Sequence, residues 1–159
     1  MTRRRTSGRR TRGERGASAI EFALVVPLFL VVIFGVIQYG LYFYSMQSGT
    51  SAVGEATRRM TVGDCQTDTA LKTLLRSRLG SATTATSNAD VTVVKSYTKA
   101  DGSTTMAVPG EIGGTVTLSL SYPSLNLRFP FIPVPDGGTV TRSATARIED
   151  VTESAAGAC

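Results

Sequence analysis

One long apolar run dominates the hydrophobic pattern of this chain. The run extends from Phe22 to Tyr44 and holds one strongly polar side chain, Gln38. As a helix at ~1.5 Å per residue it spans about 34 Å, enough to cross the ~30 Å hydrocarbon core of a bilayer. Apolar residues lie all round such a helix, as they do in lipid-buried helices and not in surface helices. The pattern predicts a transmembrane helix, and Pro27 inside it predicts a kink or a local loosening.

The helical pattern continues beyond the apolar run. We expect one helix from about residue 17 to 61, although Gly49 and Gly54 weaken this prediction, and Gly63 supplies the stop. Apolar and small residues recur near one face of its second half: Met46, Ala52, Val53, Ala56 and Met60. The end of the run carries the tyrosines of a predicted interfacial aromatic belt, Tyr39, Tyr42 and Tyr44.

A second, amphipathic helix is predicted from Asp68 to Leu79. Thr67 or Asp68 is the expected N-cap, and Gly80 is the expected terminator. Its buried stripe consists of four leucines, Leu71, Leu74, Leu75 and Leu79.

The C-terminal half has the period of strands. Strands are predicted at Val91–Thr98, Val116–Tyr122 and Thr139–Glu149, with a turn at Asp101-Gly102. The segment Phe129–Pro135 cannot form a central strand because prolines have no N–H to donate, so we expect its aromatics to fold over the edge of the core. The predicted fold class is α+β: a long N-terminal transmembrane helix, a short second helix, then a small antiparallel sheet of three to four strands, packed on either helix.

Charge is concentrated at the N-terminus. Residues 1–16 hold seven arginines against one glutamate, a net charge of +6, while the remaining residues hold 10 basic and 11 acidic side chains, so that the whole chain carries +5. With no basic, aromatic-interleaved surface after the tail, nucleic acid is not an expected partner. The arginines before the apolar run predict a cytoplasmic N-terminus and a single pass of the cytoplasmic membrane. The predicted domains are a basic cytoplasmic leader (1–16), a transmembrane and extended helix (17–61) and an exported α+β domain (62–159).

The residue types limit the chemistry that this chain can perform. It has no histidine, which excludes Ser-His-Asp and Cys-His nucleophile arrangements and histidine-containing metal sites. The carboxylates are scattered, and no predicted helix follows the glycines at residues 110–114 to receive a phosphate. We therefore expect a protein that is not an enzyme, with no catalytic residue, no metal and no cofactor.

Two cysteines, Cys65 and Cys159, are candidates for a disulfide. They can pair if both face an oxidising compartment. A bridge would close nearly the whole exported domain into one loop and stabilise it by roughly 4–5 kcal/mol in the chain-entropy model. Pairing is the favoured interpretation, and two unpaired thiols are the alternative.

A carboxylate lies beside the apolar run, where a charged side chain is costly in lipid. Glu21 follows Gly16 by five residues and directly precedes Phe22, after a basic leader. This arrangement resembles the processing site of type IV prepilins. The string RGERGASAIEFALVVPLFLVVIFGVIQYG is more closely similar to the TadE-like family of minor pseudopilins from the tight adherence (Tad, or Flp) pilus system. The resemblance covers about residues 13–60 and leaves out the β-rich region.

The resemblance implies a pilin-like fold and cleavage between Gly16 and Ala17 by a membrane aspartyl prepilin peptidase. It also implies that Glu21, with Phe22 in the same assembly and processing motif, pairs with the N-terminal amine of a neighbouring subunit. The implied partners are the cytoplasmic membrane, the peptidase, the major Flp pilin, other minor pseudopilins and the Tad assembly platform. The mature protein would support a pilus or a related secretion filament, either within the fibre or from the membrane.

Three alternatives stay open at this point. The first is a secretory signal peptide cleaved near Ala52, although the apolar run is longer than a usual h-region and ends well before that site. The second places Glu21 at the cytoplasmic lipid boundary, where it reaches headgroups and water. The third is a permanently anchored exported domain that binds a surface ligand, which cleavage at Gly16 and co-purification with pilus components would exclude.

Overall fold

The computed structural model describes residues 14–64, 67–105 and 111–149. Two helices are followed by three longer strands and one two-residue strand, so the α+β prediction is confirmed. The helices are α1 (Glu14–Met60) and α2 (Asp68–Leu79), and the strands are β1 (Thr92–Thr98), β2 (Thr104–Thr105), β3 (Thr115–Pro123) and β4 (Thr139–Arg147). Short 3₁₀ turns lie at Gly80–Ala82, Asn88–Asp90 and Pro135–Gly138.

Helix α1 is continuous over 47 residues, with Pro27 inside it. It ends because Gly63 adopts a positive φ of 84°, a conformation that glycine takes without steric cost. The Asp64 N–H then donates to the Arg59 carbonyl at 3.0 Å, which satisfies a carbonyl of the last turn. The predicted stop at Gly63 is therefore confirmed.

Helix α2 forms as its sequence pattern predicts. The Ala70 N–H donates to Thr67 Oγ1 at 3.3 Å, so Thr67 is the N-cap. Gly80 follows the helix with a φ of 50°. The four leucines of the predicted stripe are all buried. They pack in one core with the second half of α1 and the inner face of the sheet.

The four strands form one antiparallel sheet in the order β2-β1-β3-β4. Along β3 every second side chain is buried, from Val116 through Leu118 and Leu120 to Tyr122. The outward face carries hydroxyls that bond across strands, such as Thr117 to Thr145 at 2.8 Å. This alternation confirms the prediction that one face of β3 is apolar and the other is hydroxyl-rich.

The core forms where the second half of α1 crosses β3 and β4. The predicted apolar face of α1 is the one that packs on the sheet: Ala52, Val53, Ala56 and Met60 are buried, and Met46 is partly buried against them. Sheet and helix therefore share one hydrophobic core, as expected for a two-layer α+β fold.

Gly49 allows the closest approach between helix and sheet. Tyr122 lies directly over it, and the Tyr122 hydroxyl donates to the Ser45 carbonyl. A Cβ at residue 49 would fall 2.9 Å from two carbons of the Tyr122 ring. The ring is buried, which raises the pKa of Tyr122 to about 12. The glycine that weakened the helix prediction is therefore required by packing.

The Gly49→Ala variant tests this close contact, with Gly54→Ala as its matched control in the same helix. Overpacking costs about 1–3 kcal/mol and alanine returns up to ~1 kcal/mol of helix propensity, so we expect Gly49→Ala to lower the free energy of unfolding by about 1–2 kcal/mol. A Cβ at Gly54 meets no atom within 4 Å, so Gly54→Ala should raise it by about 0.5–1 kcal/mol. Thermal unfolding of the full chain in detergent micelles, followed by circular dichroism, measures both. Equal shifts for the two variants would contradict the contact.

Candidate functional site

Most of the first half of α1 is not covered by the rest of the fold. From residue 17 to 37 its side chains are exposed or partly exposed, including Phe22 at 71% and Leu28 at 69%. We call residues 17–37 the apolar helix segment. At ~1.5 Å per residue it is about 31 Å long, close to the ~30 Å hydrocarbon core of a bilayer. Among the described residues it belongs to the one helix that is long and apolar enough to span a membrane.

Gln38 marks the point where the fold begins to cover the helix. Its side chain is completely buried. Its Nε2 donates to the Leu125 carbonyl at 3.1 Å, and its Oε1 accepts from the Leu127 N–H at 3.0 Å. The one strongly polar side chain of the apolar run is thus satisfied by the backbone of the segment that follows β3.

The last part of the apolar run, residues 38–44, packs partly against the C-terminal domain. Tyr42 is buried, and its hydroxyl donates to Asp136 Oδ2 at 3.1 Å. Tyr39 and Tyr44 remain exposed. The predicted aromatic belt is therefore divided, because Tyr42 faces the domain. One turn further on, Ser45 donates to the Ala82 carbonyl at 2.5 Å and fixes the adjoining loop.

The predicted processing and assembly residues lie at the start of α1. Gly16, Ala17, Glu21 and Phe22 are all helical and exposed. Residues four apart share a helix face, so Ala17 and Glu21 are neighbours on the surface. None of the ion pairs among the described side chains involves Glu21. The arrangement leaves the Glu21 carboxylate on the surface of the helix, beside the predicted cleavage point.

The remaining predicted sites have different outcomes. Pro27 is exposed inside the unbroken α1 helix. Cys65, Cys159 and most of the basic leader lie outside the described residues, so the disulfide stays a prediction. Within residues 14–64, 67–105 and 111–149 no cluster of three or more acidic or cysteine side chains is placed to hold a metal.

Glu55, in the second half of α1, forms two ion pairs. Its Oε1 accepts from Arg59 Nη2 at 2.9 Å and from Arg78 Nη2 at 2.6 Å. The second pair joins α1 to α2. Because all three side chains are about one-third exposed or more, each pair contributes at most ~1 kcal/mol. The three side chains form an ion-pair cluster on the surface, between α1 and α2.

Comparison with known families identifies the N-terminal helix. Residues 16–58 match the family model described as TadE-like protein. Over these residues the helix is similar to TadE-like proteins. The match covers about a quarter of the chain, and it confirms the resemblance inferred from Gly16, Glu21 and the apolar run. Comparisons with curated proteins and with solved structures give no match.

The TadE-like match extends over both halves of the helix. It includes the bare apolar helix segment and most of the buried half that supports the sheet, but none of β1–β4. Sequence reasoning did not assign a role to Gln38, and it expected the aromatics of the segment after β3 to fold over the edge of the core. Instead, Phe129 stacks on Phe34 of α1 and Phe131 is 93% exposed. The sequence signal for Gln38 is a single amide within an apolar run. The signal for the segment after β3 is its aromatic residues between prolines.

We predict that Gln38→Leu destabilises the docking of the segment after β3 on α1, with Gln47→Leu, an exposed glutamine of the same helix, as the control. Leucine is of similar size but leaves the Leu125 carbonyl and the Leu127 N–H without their partner, which costs about 1–3 kcal/mol. Faster hydrogen exchange at the Leu127 amide, together with a lower melting temperature, would report the loss. The control should change stability by less than ~0.5 kcal/mol. Unchanged exchange at Leu127 in Gln38→Leu would contradict the assigned role.

Proposed function

We propose that this protein is a TadE-like minor pseudopilin, a membrane-anchored structural protein that supports assembly of a Tad/Flp-type pilus or a related secretion filament. The observation that carries this proposal is the coincidence of the TadE-like match with a bare apolar helix segment that has a carboxylate near its start. The protein acts by packing and docking, without an enzymatic activity and without a cofactor.

The proposed orientation has the N-terminus in the cytoplasm and the C-terminal domain outside. Seven arginines precede the apolar run, whereas Arg58 and Arg59 are the basic residues within about twenty positions after its end at Tyr44. Arg59 is also engaged by Glu55. The distribution follows the positive-inside rule and supports an extracytoplasmic sheet domain.

Processing is proposed to occur by hydrolysis of the Gly16–Ala17 peptide bond. Both residues are exposed at the start of α1, and, apart from its chain neighbours and the nearby helix backbone, a side chain at Gly16 would meet no atom of the described residues within 4 Å. Cleavage would remove the arginine-rich leader and create a positively charged amine at Ala17. That amine would start a bare apolar helix in a membrane.

Assembly is proposed to use the Glu21 carboxylate. A carboxylate and an amine ~4 Å apart attract by about 4 kcal/mol at an effective dielectric of 20, which would offset part of the cost of placing Glu21 near lipid. The partner is the Ala17 amine of a neighbouring subunit or of a pilin. Around this pair the exposed Phe22 and Leu28 would pack against other helices, since helix association in lipid depends on close fit.

N-terminal sequencing of the membrane-extracted protein, co-expressed with its prepilin peptidase, should read from Ala17. Gly16→Ala should slow this cleavage, because the added Cβ lies at the cleavage point and would disturb the fit to the peptidase. Gly40→Ala, which also meets no atom within 4 Å, should be processed normally. A protein that keeps Met1 under these conditions would remove the processing proposal and favour a permanent anchor.

Replacement of Glu21 by alanine or by the uncharged, similarly sized glutamine should leave the protein in the membrane fraction. Both variants should reduce piliation and co-purification with pilus components by about tenfold or more, because a lost attraction of a few kcal/mol exceeds the 1.4 kcal/mol that corresponds to a factor of ten. Counting pili by electron microscopy measures the effect. Normal piliation in both variants would favour a Glu21 that simply reaches headgroups and water.

A further inference from the structure

A loop beside the apolar helix segment has a surface that the proposed function leaves unexplained. It connects β3 to the short turn at Pro135–Gly138, and we call residues 125–134 the aromatic loop. Its first residues bond to Gln38 through the Leu125 carbonyl and the Leu127 N–H. Its far end leads to Asp136, which accepts from Tyr42. Both ends are therefore fixed to α1 at or above the level of Gln38.

The middle of the aromatic loop reaches further toward the N-terminus of α1. The Phe129 ring stacks on Phe34, with centroids 4.6 Å apart and an interplanar angle of 12°. Phe34 lies one turn before Gln38, inside the apolar helix segment. At ~1.5 Å per residue the loop descends by about 6 Å along the helix axis. The tip thus lies beside the bare part of α1.

The tip directs apolar side chains outward. Phe131 is 93% exposed, and Leu127 is half exposed. Arg128 and Phe131 both have positive φ, 51° and 65°, a conformation that is rare for residues with a Cβ and rarer for bulky ones. Phe129, by contrast, is held against the helix. A single exposed phenylalanine is ordinary, but this one lies two residues after Phe129, which stacks on the apolar helix segment.

We propose that the aromatic loop is a second membrane contact, which places Phe131 in the interfacial layer of the outer leaflet next to α1. The inference rests on the proposed membrane-spanning role of α1. Aromatic side chains concentrate at this layer. Arg128 is exposed and lies three residues before Phe131. Its guanidinium can therefore reach lipid phosphates while the aliphatic part of its side chain stays on apolar surface.

Two geometrical facts favour lipid over a protein partner at this loop. The apolar helix segment is about 31 Å long and ends at Gln38, so a ~30 Å hydrocarbon core that it fills has its outer boundary at the level of the loop. The loop is also pinned to α1 at Gln38, Phe34 and Tyr42, which keeps Phe131 at one depth. The domain would then rest on the membrane surface through two contacts, the helix and the loop.

Tryptophan fluorescence tests this proposal, because the natural chain has no tryptophan. The full chain is reconstituted in phosphatidylcholine–phosphatidylglycerol vesicles as three single-tryptophan variants. Phe131→Trp probes the loop and Phe29→Trp the middle of the apolar helix segment. Ile112→Trp is the control, because Ile112 is equally apolar, 61% exposed, and near the opposite end of the domain. There, Gly113 bonds to Ile148, whose neighbour Glu149 bonds to Thr61 near the end of α1.

The quenchers are water-soluble acrylamide and two sets of brominated lipids, one brominated near the headgroup end of the acyl chain for Phe131→Trp and one brominated near the chain end for Phe29→Trp. We expect brominated lipids to reduce Phe131→Trp emission at least about twofold, and acrylamide to quench it several-fold less than Ile112→Trp, as for an interfacial aromatic residue. Phe131→Trp emission quenched by acrylamide as strongly as the control would overturn the proposal. Emission shielded from acrylamide but insensitive to brominated lipid would also overturn it, since a protein neighbour would then cover the loop.

Phe29→Trp separates this inference from the proposed function. If brominated lipids quench Phe29→Trp but not Phe131→Trp, the helix spans the membrane and the loop inference alone is wrong. If neither is quenched, the membrane-spanning role itself is contradicted, and the loop inference falls with it.

Discussion

Both polar atoms of the Gln38 side chain form hydrogen bonds to the backbone, one at Leu125 and one at Leu127. The architecture depends on this contact. On one side of it, the α1 side chains from residue 17 to 37 are exposed or partly exposed, and the Phe129 ring stacks on Phe34. On the other side, the same helix forms one layer of a hydrophobic core. A buried amide must be hydrogen-bonded, so the two segments can separate only by exposing unpaired polar groups. The contact therefore fixes where the bare segment ends.

The continuity of α1 links the two environments mechanically. Its second half is locked to the sheet by the close approach of Gly49 and Tyr122, and to α2 through Glu55 and Arg78. A force or a rotation applied to the apolar helix segment is thus transmitted to the sheet domain without an intervening linker. In the proposed pseudopilin role, a register set by Glu21 between neighbouring helices would also set the relative position of their sheet domains.

Local features of the fold could be predicted from the sequence, and long-range ones could not. Helix α2 is specified by a cap, four leucines and Gly80, which all lie within 14 residues of one another. The buried face of β3 follows from strict alternation. The partners of Gln38 lie 87 and 89 residues away, and no local pattern reports them. Gly49 likewise lowers the local helix propensity, and Tyr122, the residue that requires it, lies far away in the sequence. At the candidate site, Gly16, Glu21 and the apolar run can be recognised because their spacing is itself the signal, whereas the stacking of Phe129 on Phe34 joins positions far apart in the chain and has no such signal.

Spin-label accessibility along α1 in bilayers tests the central claim, that the helix changes environment at Gln38. Single cysteines at Leu24, Leu28, Gln47 and Thr50, in a chain with Cys65 and Cys159 replaced by serine, would carry the label. Collisions with oxygen, which concentrates in lipid, should dominate at the first two positions, and collisions with a water-soluble nickel chelate should dominate at the last two. Equal nickel accessibility at Leu28 and Gln47, or oxygen-dominated collisions that persist to Thr50, would contradict this account.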